Sequence, residues 1–325
     1  MRELQFREAI AEAISQEMER DQGVFLMGEE VAEYNGAYKA SKGLLDKFGS
    51  DRIIDTPISE GGFSGIGVGA AMNGLRPIIE FMTFNFSLVA IDQIINNAAK
   101  MMQMSGGQFN IPIVFRGPTG SAGQLGATHS QSFDNWYANC PGLKVVVPSN
   151  PHDAKGLLKS SIRDNNPVIF MESEQMYGDK GDVPKDDYII PIGKANIVKE
   201  GSDVTIVSYG KMMKTVMAAS QELNTNNIYP ELIDLRTLRP IDYDLIISSV
   251  HKTNRLIIVE ESWPLASISS EISYIIQKRA FDYLDAPISR ICSADTPMAY
   301  SSVLVEEFLP SKNQIIAKVQ QSLYV

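Results

Sequence analysis

The sequence predicts an α/β protein of two domains, each built on a mostly parallel sheet with helices on both faces. Three observations predict it. Short apolar runs alternate with segments of helical periodicity along the whole chain. Those runs are apolar at consecutive positions rather than at every second one, the pattern of strands buried on both faces. A polar, glycine- and proline-bearing stretch then divides the series, and 325 residues suit two domains of roughly 100–200 residues each.

The elements follow in order. Leu4, Ile10, Ala13, Ile14 and Met18 share one helical face near the start. Val24 to Met27 is a short apolar run closed by Gly28-Glu29-Glu30, a buried strand feeding a loop. Residues 52–57 read as a strand, 61–73 as a helix of glycine and alanine, 77–81 as a strand and 87–102 as one long amphipathic helix. Ile111 to Phe115, Lys144 to Val147 and Pro167 to Met171 read as strands, with a helix before the second and another over about 151–163. The first domain is expected over 1–175. Residues 176–202, with Gly178, Gly181, Pro184 and Pro191, read as a linker. A second alternating set fills 203–325, with strands at 203–209, 229–235, 255–260 and 288–293.

Composition excludes some functions. Hydrophobic residues at 44% and charged residues at 21% suit a globular chain with a full core. A net charge of −10 argues against nucleic acid or an anionic membrane as partner, because both require a basic surface. Cys140 and Cys292 form no CxxC pair and read as reduced core cysteines. The N-terminus lacks the apolar core of a secretory signal, and no apolar run reaches the roughly 18 residues of a membrane span. A cytoplasmic protein is expected.

In open α/β sheets, ligands bind at the carboxyl ends of strands, and four loops there stand out. Glu29 and Glu30 fit either a solvated helix start or a site. Thr56-Pro-Ile-Ser-Glu60-Gly-Gly opens a nearly bare helix, where each interior glycine costs about 1 kcal/mol; close packing of a helix or of a ligand would each explain it. Glu80-Phe-Met-Thr-Phe-Asn-Phe86 places three aromatics at a strand end, as core or as a stacking surface. Arg116 to His129 holds four glycines after a strand but no P-loop lysine and no ordered dinucleotide fingerprint, so nucleotide readings are weak. His129 closes that loop and is one of three histidines in the chain. It is placed for acid–base work, and a structural histidine is the plainer reading.

Taken together, these stretches resemble one family. GEEVAEYNGAYKASKGL, RIIDTPISEGGFSGIGVGAAM, GLRPIIEFMTFNF, IPIVFRGPTGSAGQLGATHSQ, NCPGLKVVVPSNPHDAKGLLKSSIRDNNP, LIDLRTLRPID and VEESWP are similar, in order and over nearly the whole chain, to the β subunits of thiamine-diphosphate-dependent 2-oxo acid dehydrogenases, in particular the decarboxylating component that acts on pyruvate. The resemblance implies a pyrimidine-binding thiamine-diphosphate fold followed by a transketolase C-terminal-like domain. It implies that Glu60 faces N1′ of the aminopyrimidine and shares a proton with it, which requires a carboxyl raised by burial. Phe86 then stacks on the pyrimidine, His129 sits beside the substrate, and Glu29 lies in a water-filled tunnel between paired sites. It also implies a potassium ion on the backbone carbonyls of Ile113, Ser161, Ile162, Asp164 and Asn166.

Thiamine enzymes hold the diphosphate through Mg²⁺ with a G-D-G motif, and none occurs here; Gly178-Asp-Lys-Gly-Asp182 is not one. The resemblance therefore implies half a site, completed by an α subunit carrying Mg²⁺ in an α2β2 assembly, with a dihydrolipoyl acyltransferase core as the acyl acceptor. Acetoin or branched-chain 2-oxo acid substrates, and a non-catalytic docking subunit, are the rival readings.

Overall fold

A computed structural model describes residues 1–325. In chain order the strands are β1 (Arg2–Gln5), β2 (Val24–Gly28), β3 (Ile53–Asp55), β4 (Arg76–Glu80), β5 (Val114–Pro118), β6 (Lys144–Val146), β7 (Val168–Glu172), β8 (Lys180–Val183), β9 (Asn196–Lys199), β10 (Val204–Ser208), β11 (Pro230–Asp234), β12 (Thr237–Arg239), β13 (Leu256–Val259) and β14 (Ser289–Ile291). The α-helices are α1 (Phe6–Arg20), α2 (Leu44–Phe48), α3 (Glu60–Met72), α4 (Met101–Met104), α5 (Asp134–Ala138), α6 (Pro151–Arg163), α7 (Met212–Thr225), α8 (Tyr243–Thr253), α9 (Ile268–Ala280), α10 (Ser302–Phe308) and α11 (Lys312–Leu323).

Seven strands form the first sheet in the order β12-β6-β7-β5-β4-β2-β3, and all but β12 run parallel. The second sheet is β14-β13-β10-β11-β9, parallel except for β9. Its first member in sequence, β9, comes from the stretch read as a linker. So does β8, which returns to pair with β1. The stretch read as the linker, 176–202, thus contributes a strand to each of two sheets. Both strands lie at sheet margins, where one face meets solvent, and their polar residues hide the strand signal.

β12 is the other departure from separate domains. It follows β11 of the second sheet yet pairs with β6 of the first. The largest apolar cluster likewise runs from Met27, Phe63 and Phe81 of the first sheet through Val207, Ile233 and Ile258 of the second. Two further clusters cover the outer faces, one under α1 and α6 and one under α7 and α11. The shared core fixes the two sheets relative to each other.

Two elements differ from their expected form. Ile111 and Ile113 precede the strand instead of starting it, because Pro112 has no N–H to give the ladder. The long helix expected at 87–102 is three pieces: a 3₁₀ turn over Phe84–Ala90, a π-helical stretch over Gln93–Ala98, and α4. Buried polar side chains divert the backbone there. Thr83 caps the first turn from outside, and the Ser87 hydroxyl bonds the Phe84 carbonyl (2.6 Å) and Tyr137 Oη (2.6 Å).

Glycine in α3 has a packing cause. A methyl on Gly67 would lie 2.6 Å from Ile79 Cδ1, and one on Gly61 would lie 3.3 Å from the Val89 carbonyl oxygen. The helix thus lies directly on β4 and on the turn that carries Phe86. No helix is long and apolar enough to cross a membrane.

Candidate functional site

The carboxyl ends of the first sheet gather the acids. Glu29 follows β2, Glu80 ends β4, Glu172 ends β7, and Glu60 opens α3 just beyond β3. All four are buried. Burial, followed by the adjacent Glu60 charge, pushes the Glu29 carboxyl up to about 7; a shared hydrogen bond with Glu60 and the Glu80 charge add to it. Glu29 is therefore an acid that keeps its proton close to neutral pH, adjacent to Glu60. Glu29 Oε1 and Thr56 Oγ1 are buried without a hydrogen-bond partner, and Thr56 N–H donates to the Gly28 carbonyl (3.0 Å). Unmet polar capacity thus lies beside Glu60, where a polar ligand edge would find both a donor and acceptors.

Phe86 and His129 come together. Their rings meet edge to face with centroids 5.0 Å apart. His129 Nδ1 lies 3.0 Å from Thr128 Oγ1. Asn85 ties the two segments: its Oδ1 accepts from the Gln131 N–H (2.9 Å), and its Nδ2 donates to Thr83 Oγ1 (2.6 Å). Because α3 abuts the same turn, Glu60, Glu29, Phe86 and His129 all belong to one region at one sheet end. A buried acid pair, an aromatic face and an imidazole can protonate, stack on and neutralise a flat heteroaromatic ligand and a small anion.

Behind this region sits a charge cluster that sequence reasoning missed. Arg116 is fully buried and forks onto Glu172 through Nε (2.7 Å) and Nη2 (2.6 Å), while its Nη1 pairs with Glu80. The two carboxylates drive the Arg116 guanidinium further above its ordinary value against the opposing effect of burial. Burial nonetheless holds the Glu80 carboxyl above its ordinary range. A strand reading FRGP and another ending in ME could have signalled this, since buried strand ends that carry charge need partners.

The second domain supplies a further buried group. Ser262 Oγ donates to Asp134 Oδ1 (2.6 Å), and Tyr209 Oη reaches both Asp134 and Glu260, the latter at 3.1 Å. Burial pushes Asp134 up to about 6.

The carbonyls expected to hold potassium are partly engaged. Arg76 Nη1 donates to the Ile162 and Asp164 carbonyls (3.0 Å each). The Ser161 carbonyl accepts from Asp164 N–H (3.3 Å) and that of Ile113 from Val168 N–H (2.9 Å), while the Asn166 N–H turns back to Asp164 Oδ1 (2.9 Å). Two of the five carbonyls thus already converge on one cation, the Arg76 guanidinium, at the negative end of α6.

The transketolase pyrimidine-binding domain family matches residues 2–180, and the transketolase C-terminal domain family matches residues 193–315. Curated relatives are similar throughout. The chain is 54% identical to the pyruvate dehydrogenase E1 component subunit beta of Rhizobium meliloti, over 98% of this chain and 69% of the relative. It is 54% identical to the mitochondrial subunit beta of Dictyostelium discoideum, over 97% and 90% of the two chains. The Rickettsia felis subunit beta is 52% identical over 98% of each. Among solved structures, a split gene transketolase described as an inactive beta4 tetramer superposes with a TM-score of 0.81 over 98% of both chains at 20% identity, a likeness of fold.

Proposed function

The chain belongs to the family of pyruvate dehydrogenase E1 component β subunits, within the thiamine-diphosphate-dependent enzymes, and we propose that with an α subunit it decarboxylates pyruvate oxidatively and acetylates lipoyl groups on an acyltransferase core. The observation that carries this reading is a Glu29–Glu60 acid pair and a Phe86–His129 ring pair at the same end of one sheet, with unmet buried polar atoms beside the acids.

Bound thiamine diphosphate supplies a nucleophilic carbon and a ring that accepts electrons as CO₂ departs. The chain's own residues do the rest. Glu60 holds a proton against the pyrimidine N1′. Glu29, raised to about 7, keeps a proton within reach of Glu60 and limits the charge of the pair. Phe86 offers a ring face and excludes water. His129 holds or moves a proton at the substrate carboxylate and at the acyl acceptor. The diphosphate and Mg²⁺ fall to the α subunit, in an α2β2 assembly. A potassium ion would be held by the backbone carbonyls of Ile113, Ser161, Ile162, Asp164 and Asn166 and would supply positive charge there, at a place where the Arg76 guanidinium already bonds two of the five. Cys140 and Cys292 remain free thiols, in keeping with a cytoplasmic setting.

Decarboxylation is measured for this chain alone and mixed with its α subunit, with Mg²⁺, thiamine diphosphate and an artificial electron acceptor. Pyruvate, a branched-chain 2-oxo acid and acetoin are supplied in parallel. Activity only in the mixture, highest on pyruvate, is expected. Preference for another substrate changes the substrate assignment, and an inert mixture points to a docking subunit. Glu60→Gln in the assembled enzyme is expected to lose roughly 10²–10⁴ in turnover, the range for loss of a positioned acid–base group, with the fold retained.

A further inference from the structure

The loop that carries His129 runs from the end of β5 to Gln131, and its own sequence does little to hold it. It has glycine at 120, 123 and 126, and Gly120 and Gly126 take φ of +77° and +79°. Its internal backbone bonds are three, Gly120 N–H to the Gln131 carbonyl (2.9 Å), Gln124 N–H to the Ala122 carbonyl (2.9 Å) and His129 N–H to the Gly126 carbonyl (3.2 Å), and the side chains of Thr119 and Gln131 add bonds to the Gln131 (3.1 Å) and Thr128 (3.4 Å) carbonyls. A chain with that much backbone freedom does not fix an imidazole within the fraction of an ångström that catalysis requires.

The first domain holds the loop's two ends, through Thr119 N–H on the Glu172 carbonyl (2.8 Å) and Gln131 N–H on Asn85 Oδ1 (2.9 Å), and the second domain holds the span between them at two points. At the first, Glu261, just beyond β13, accepts the Ser121 N–H and pairs with Lys211 at 2.7 Å. Lys211 in turn donates to the Ser121 carbonyl (3.2 Å) and touches the Ser121 hydroxyl. The Glu261 carboxylate lies so close to Gly120 that a methyl there would stand 2.5 Å from Oε2. Lys211 is 8% exposed, so this ion pair acts with little solvent screening. At the second point, the ring of Tyr300, a side chain otherwise 71% exposed, lies on Gly126, where a β-carbon would displace it. Gly126 is the residue whose carbonyl receives the His129 N–H. The two contacts therefore bracket the loop, one at its entry and one at the turn that presents the imidazole.

The geometry points to Lys211, Glu261 and Tyr300 as positioning residues: the second domain clamps the glycine loop and so sets the placement of His129 against Phe86. None of the three reaches the ring region itself, so they act through the loop. Glycine at 120 and 126 suits these contacts, because a β-carbon there would push the Glu261 carboxylate and the Tyr300 ring away from the loop, and both glycines take positive φ. This inference rests on the proposed role of His129 for its catalytic consequence, while the clamp itself is a property of the chain.

The test separates the two. Amide hydrogen exchange over residues 119–131 is followed in the α/β assembly for the wild type, Glu261→Ala, Tyr300→Ala and Tyr300→Phe, alongside decarboxylation kinetics. Glu261→Ala and Tyr300→Ala are expected to raise loop exchange at least tenfold while exchange in β4, β5 and β7 stays unchanged. They are expected to lower kcat roughly tenfold with KM for pyruvate within a factor of two, the split expected when an imidazole is displaced while substrate binding stays intact. Tyr300→Phe keeps the ring and is expected to restore wild-type exchange. Unchanged exchange in both alanine variants overturns the clamp. Raised exchange with unaltered kcat overturns the link to His129. A wild-type assembly with no activity on any substrate defeats the proposed function and leaves the exchange result to decide the clamp by itself.

Discussion

Replacing Glu29 by glutamine should make the folded chain more stable at alkaline pH, and the size of the gain follows from the site. The Glu29 carboxyl is pushed up to about 7 from an ordinary 4.5. At about 1.4 kcal/mol per pH unit, that raise corresponds to roughly 3 kcal/mol; hydration at the site's mouth screens part of it, leaving about 2 kcal/mol. The sign follows from proton counting. Between pH 4.5 and 7 the folded chain keeps a proton that the unfolded chain has released, so this group's contribution to stability falls as pH rises through that window. Glutamine resembles the protonated acid and removes the dependence. Urea unfolding of the isolated wild-type and Glu29→Gln chains at pH 5, 6, 7 and 8 measures it. The variant's advantage should be near zero at the acid end and reach about 2 kcal/mol by the alkaline end. Asp134 and Asp234, also raised by burial, to about 6 and about 7, titrate in both proteins and cancel in the difference. Parallel pH curves, or a wild type that gains on the variant as pH rises, would refute the reasoning.

Two further perturbations test the scaffold. Gly67→Ala drives a methyl to 2.6 Å from Ile79 Cδ1 and should cost about 1–3 kcal/mol by overpacking; Gly69→Ala, two residues on with nothing within 4 Å, should stabilise by about 0.5–1 kcal/mol, and both are read from urea midpoints. Arg116→Met strips the cation from between Glu80 and Glu172 and should destabilise by about 3–5 kcal/mol, whereas pairing it with Glu172→Gln should recover part of that loss in the same assay.

The parallel sheets were legible because their strands are apolar at consecutive positions: Val24 to Met27 and Val204 to Val207 cannot be read as half-exposed. The margins were not. β8 and β9 carry lysine, aspartate and asparagine on faces turned to solvent, and a linker looks the same. The segment after Phe84 has helical periodicity, yet the buried Asn85 and Ser87 redirect its backbone, which no pattern of apolar residues reports. At the site, Glu60, Phe86 and His129 could be singled out because they sit in loops after strands. Their neighbours could not: Arg116 reads as the end of a strand, and its partners Glu80 and Glu172 are 36 and 56 residues away in sequence. The bare helix α3 left packing and ligand open together, and the contact of Gly67 with Ile79 supports packing. Lys211, Glu261 and Tyr300 lie in another domain from the loop they grip, so only the fold brings them to it.

The placement of β12 bears on how this protein is born. Its pairing partner β6 has an unsatisfied edge until Thr237–Arg239 has been made, about 65 residues after the end of β7. At translation rates of about 5–20 residues per second, the nascent first sheet passes several seconds with a naked apolar margin, Val145 and Val146 among it, open to pairing with a neighbouring chain on the same polysome. A gene cut between the two family-matched segments would make that interval permanent. The amino-terminal piece, expressed alone, should collect in aggregates, and supplying the missing piece in trans should rescue it only if both are synthesised together.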